Sequence, residues 1–121
     1  MSNNNNQNNS VLMKIIENST FTERQIQIIY KIYNKEERLK DISSGAYYRE
    51  VKQCKNKLRK LYYSIILLNL IGILNNEQLI TINSIIDKLS LIKNNHDKYH
   101  DKHVESVMNI IEQLLNKLLQ V

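Results

Sequence analysis

The chain has 121 residues, 17 Lys and Arg against 12 Asp and Glu, a formal charge of +5, two glycines, one cysteine and no proline. That size fits one domain with a modest core. The lone cysteine excludes an internal disulfide, and the scarcity of turn residues excludes a turn-rich β fold in favour of long helices.

In chain order, "MSNNNNQNNS" is polar, uncharged and of low complexity, so residues 1–10 are predicted to be a disordered tail with no secretory pattern. A short helix is predicted over Ser10–Asn18, with Val11, Leu12, Ile15 and Ile16 on one face. "FTERQ" then reads as a helix start. Thr22 is the N-cap, Gln25 is its capping-box partner, and Phe21 is placed to staple against Ile26. This helix runs to about Asn34. "KEERLKDI" is predicted to add one or two turns.

Ser43 or Ser44 caps the next helix, predicted from about Gly45 to Leu70. A rotation of 100° per residue separates its faces. Tyr47, Val51, Cys54, Leu58, Leu61, Tyr62 and Ile65 form a core stripe. Tyr48, Arg49, Lys52, Asn56, Arg59, Lys60 and Tyr63 form an adjoining arc, with Lys55 at its border. Residues 49–60 carry six cations and one acid, Glu50, so they hold +5 and the rest of the chain sums to zero. Beyond Tyr63 the residues around the axis are apolar, and this half is expected to be buried.

Gly72 is the expected C-terminal cap of that helix, and Asn76 the expected N-cap of the next. Leu79, Ile82, Ile86 and Leu89 mark the following helix, to near Lys93. Val104, Val107, Ile111, Leu114, Leu118 and Val121, widened by Met108 and Leu115, mark a last one over 102–120. The expected architecture is all-α. It is a compact helical bundle with a disordered tail (1–10) and a single domain (11–121), in which 20–64 carries the functional helix and 65–121 an amphipathic, packing or dimerising helical pair.

Lys and Arg interleaved with Tyr and Asn suit a polyphosphate. The cations displace counterions, and Asn, Arg and Tyr reach base edges or phosphates. The candidate nucleic-acid-binding residues are Ser44, Tyr47, Tyr48, Arg49, Lys52, Gln53, Lys55, Asn56, Arg59 and Lys60. A solvated lysine-rich face is the plainer alternative. "TERQ" followed by "ISSGAYYREVKQCKNKLR" resembles the helix-turn-helix of sigma-factor region four and of LuxR-type and Tfx-type regulators. Ile42, Ser43, Tyr48, Arg49, Val51, Cys54, Lys57, Leu58 and Arg59 fill the places of their third-helix pattern. The resemblance covers residues 20–62. It implies double-stranded DNA as partner and Ser44, Ala46, Tyr47, Tyr48, Arg49, Lys52 and Gln53 at or near the groove. The stretch that holds a full positioning helix in those families is about five residues short here. "SSGAYYR" followed by "YS" and a Leu-rich helix also resembles short archaeal proteins.

His96, His100 and His103 stand at i, i+4 and i+7, a spacing able to hold a metal, but a polar connector is the plainer reading and no metal or other cofactor is expected. No phosphate loop, paired carboxylates or activated nucleophile is present, so no catalysis is expected. "YYSIILLNLIGIL" falls short of the roughly 20 residues of a membrane span, and a cytoplasmic location is expected. The expected function is DNA binding by a transcriptional regulator or chromosome-associated protein, as a homodimer. The alternative is a non-catalytic helical module that binds an acidic protein or RNA.

Overall fold

The computed structural model describes residues 10–94 and 101–120. They form α1 (Val11–Asn18), α2 (Glu23–Tyr33), α3 (Ser44–Leu70), α4 (Asn76–Asn94) and α5 (Asp101–Leu119), with no strand among them. The expected all-α class is the observed one. The chain divides into two compact units, Ile16–Ile71 and Met1–Ile15 with Gly72–Val121.

Local chemistry sets most boundaries. Ser10 caps α1 through the Met13 N–H at 3.0 Å. At α2, Thr22 Oγ1 accepts from the Gln25 N–H at 3.1 Å, and the Gln25 side chain accepts from the Thr22 N–H at 2.9 Å, the expected capping box. Ser43, rather than Ser44, caps α3 by accepting from the Ala46 N–H at 3.2 Å. Gly72 follows the C-cap of α3 with φ +81°, a conformation that favours glycine. The cap of α4 is Asn75, one residue before the expected Asn76. Its side chain accepts from the Glu77 N–H at 3.0 Å, while Gln78 Oε1 accepts from the Asn75 N–H at 2.9 Å. Gln78 lies three residues after Asn75, so only that register closes the box.

The end of α2 departs from expectation. No helical turn forms over "KEERLKDI"; residues 36–43 are irregular. Lys35 adopts φ 54°, its N–H donates to Ile32 O at 3.3 Å, and the Glu36 N–H donates to Lys31 O at 2.9 Å. This is a Schellman turn with lysine in the left-handed position. It ends α2 and leads the chain away. The connector is then fastened by side chains. Leu39 and Ile42 pack on the core, and Arg38 Nη1 donates to Leu39 O at 3.0 Å and Ile42 O at 3.2 Å. An irregular segment therefore occupies the place where the resembled families have a positioning helix.

The core of Ile16–Ile71 is Ile28 from α2 with Tyr47 and Cys54 from α3, flanked by Ile29, Ile32, Leu39, Ile42 and Val51. Cys54 marks the helix crossing: it is 1% exposed and its Sγ lies 3.9 Å from Gln25 O. Tyr47, Val51, Cys54 and Leu58 thus hold the inward stripe, and Leu61 is half-buried. Two of its expected members do not follow. Tyr62 is 58% and Ile65 40% exposed, and Ile66, Leu67, Leu70, Ile71 and Ile73 are more than half exposed. The expected burial of this half is not observed: the core that α3 shares with α2 and the connector draws on its residues Tyr47, Val51 and Cys54, and the apolar residues past Tyr63 lie outside that cluster.

In the other unit α4 packs against α5. Ile85, 8% exposed, takes the inward place expected for Ile86, which is 51% exposed. Val104 is buried, and Leu89, Val107, Ile111 and Leu114 are half-buried along the seam, whereas Leu115 faces solvent. Val121 lies outside the described residues. Among the described residues no helix is long and apolar enough to cross a membrane.

Candidate nucleic-acid interface

The charge pattern of α3 becomes one-sided because its single acid is held on the other side. Arg24 of α2 grips Glu50, with Nε at 3.0 Å from Oε1 and Nη2 at 3.2 Å from Oε2. Its Nη1 reaches Asp41 Oδ2 at 3.0 Å. One guanidinium therefore ties α2, the connector and α3 together, a geometry that suits the planar fork of arginine better than the point charge of lysine. The hydrogen bonds to Asp41 and then Glu50 raise the pKa of Arg24 further. The Arg24 hydrogen bond, opposed by partial desolvation, holds the Asp41 carboxyl below its ordinary value. Asp41 thus contributes stability above the ordinary carboxylate pKa of about 4, and loses it as pH falls through the lowered value.

Lys57 also belongs to the scaffold. Its Nζ donates to Gln25 Oε1 at 3.0 Å and sits 5.3 Å from the centre of the Phe21 ring. Phe21 therefore meets α3, a contact its place before the cap did not suggest. Of the six cations, removing Lys57 leaves five: Arg49, Lys52, Lys55, Arg59 and Lys60. All five are exposed, and among the described residues no carboxylate forms an ion pair with any of them. Arg59 Nη1 donates to Asn56 Oδ1 at 3.0 Å, which steadies both on the arc.

Ser44, Tyr48, Gln53 and Asn56 are exposed beside these cations. Tyr47 is not. It is 4% exposed and packs with Ile28 and Cys54, so it supports the surface from beneath, and its ring meets Tyr48 edge-on at 5.6 Å. Its angular position already placed it in the core stripe; the resemblance alone placed it at the groove. Cys54 is inert packing: burial, then the charge of Glu50, pushes its thiol pKa up against the opposing effect of Lys57.

Sequence reasoning missed Arg24, because its partners lie 17 and 26 residues away. It also missed a groove of about 420 Å³ between the end of α2 and α3, lined by Tyr33, Tyr62, Tyr63, Lys55, Arg59, Leu58 and Ile66. Of the histidines, His103 is exposed on α5, while His96 and His100 lie outside the described residues. No cluster of metal-ligating side chains occurs among the described residues. Comparison with known protein families, with curated proteins and with solved structures finds no match.

Proposed function

We propose that this protein binds double-stranded DNA through the outer face of α3, as a transcriptional regulator or a chromosome-associated protein. The observation that supports this reading is the row of five exposed cations, from Arg49 to Lys60, that form no ion pair among the described residues, beside an acid already held by Arg24. Such a surface gains free energy by releasing counterions from phosphates. In this reading Tyr48 and Arg49, near the start of α3, approach base edges, while Lys52, Arg59 and Lys60 hold phosphates, with Lys55 at the border of the row. The outer face of the first half of α3, from Ser44 to Lys60, is the part that lies against the duplex in this reading.

The experiment is a fluorescence-anisotropy titration of a labelled duplex across a salt series. Four phosphate contacts, from Lys52, Lys55, Arg59 and Lys60, give a slope of about −3.5 in log K against log salt, a loss of about a hundredfold between about 50 and 200 mM. Lys52→Glu with Lys60→Glu lowers affinity by about a hundredfold, since two attractions become repulsions. Salt-insensitive binding, or no binding at low salt, sinks the reading.

The homodimer rests on a different observation. No charged residue occurs from Leu61 to Asn76, and the apolar side chains there are largely exposed. A charge-free apolar helix end meets a second copy of itself without electrostatic cost, and such patches mark interaction sites.

A further inference from the structure

The groove beside Tyr33 carries chemistry that duplex binding does not use. Its three tyrosines come from two helices: Tyr33 closes α2, and Tyr62 and Tyr63 lie on α3 beyond the crossing. They are 58–67% exposed, and the only ring pair among the described residues is Tyr47 with Tyr48. The faces of these rings are therefore unstacked. Leu58 and Ile66 add apolar surface to the lining. The charged groups in the lining are Lys55 and Arg59, both cations with no ion pair among the described residues. A complementary ligand is flat and apolar-faced with an anion at its rim, which is the chemistry of a nucleotide: base against rings, phosphate on Lys55 or Arg59.

We infer that this groove holds an unstacked base of a single-stranded nucleic acid, whose backbone continues along the cationic row of α3. A strand is favoured over a free nucleotide because the cations do not stop at the groove. Lys52, Lys55 and Arg59 follow at helical steps of three and four residues, about 4.5 and 6 Å along the axis, so successive phosphates have partners. This uses three cations of the duplex-binding face and adds a stacking site that paired bases cannot enter.

The chain has seven tyrosines and no tryptophan, so intrinsic tyrosine emission reports on the site. The test titrates full-length protein with a short labelled oligo-dA strand, the matching duplex and dAMP at about 50 mM salt, following anisotropy and tyrosine emission. The strand is expected to bind and quench, and dAMP to bind far more weakly. Tyr33→Ala with Tyr62→Ala should cut strand affinity about tenfold or more, with duplex affinity within about twofold and helicity unchanged. Each single substitution is measured too, so that a loss of helix in the double variant still leaves a decisive comparison. The inference is overturned if the duplex binds and the strand does not, if both single variants bind the strand like the wild type, or if dAMP binds as tightly as the strand. Failure of strand and duplex alike removes the duplex reading as well.

Discussion

The two halves of α3 are both exposed, but water meets opposite chemistry on them. From Ser44 to Lys60 the outer face is cationic, and the inner face rests on α2 and the connector. From Tyr62 to Leu70 the helix is apolar around its axis and no charged residue interrupts it. The first half stays folded through a small core and the Arg24 clamp, and its exposed surface costs little because its polar groups remain hydrated. The second half leaves Ile66, Leu67 and Leu70 at 55–80% exposure, where every apolar face is unfavourably hydrated. An exposed basic helix is stable as it stands, whereas an exposed apolar one calls for a partner.

The largest expected effect separates the inside of the first half from its outside. Tyr47 and Tyr48 are adjacent and chemically identical, yet one is buried and the other is 62% exposed. Tyr47→Ala should cost about 3 kcal/mol or more of stability in a denaturant titration, as large aromatic-to-alanine changes in cores do. Tyr48→Ala should cost at most about 1 kcal/mol, the order of an edge-on ring contact, and should lower duplex affinity with the fold intact. Equal losses of stability would erase the distinction between the faces.

The next effect tests the second half. Leu67→Glu with Leu70→Glu places charge on the apolar end. If that end pairs with a second copy, sedimentation should show the dimer weakened by at least about a hundredfold, because each buried leucine contributes about 1.5–3 kcal/mol. The monomer should keep its helicity and its salt-sensitive binding. An unchanged sedimentation coefficient would assign the apolar half some other partner.

How much of this was legible follows from sequence distance. Thr22 with Gln25, Ser43, and Gly72 were readable because a cap and its partner lie within one turn. The stripe Tyr47–Val51–Cys54–Leu58 was readable because helical rotation fixes it. Arg24 with Asp41 and Glu50, and Tyr33 with Tyr62, depend on how α2 crosses α3, which no local pattern encodes. The burial expected after Tyr63 failed for a related reason: an all-round apolar pattern states a need for cover without showing that another part of the chain packs there to supply it. Asn75 was missed by one residue because two asparagines in succession both suit a cap, and only Gln78 decides between them.

The smallest effect bears on where cover stops. Lys35 holds a left-handed turn, a conformation that costs a non-glycine residue about 1–2 kcal/mol, and the equivalent place after α3 is already glycine. Lys35→Gly should therefore raise stability, by about 1 kcal/mol after the added entropy of the unfolded glycine is subtracted. Strand and duplex affinities should be unchanged, since Lys35 lies outside the arc and outside the groove lining. A loss of stability would mean that the lysine side chain, and not the backbone turn, ends α2 at Tyr33. The open flank of α3 would then depend on a surface contact instead of on the geometry of the chain reversal.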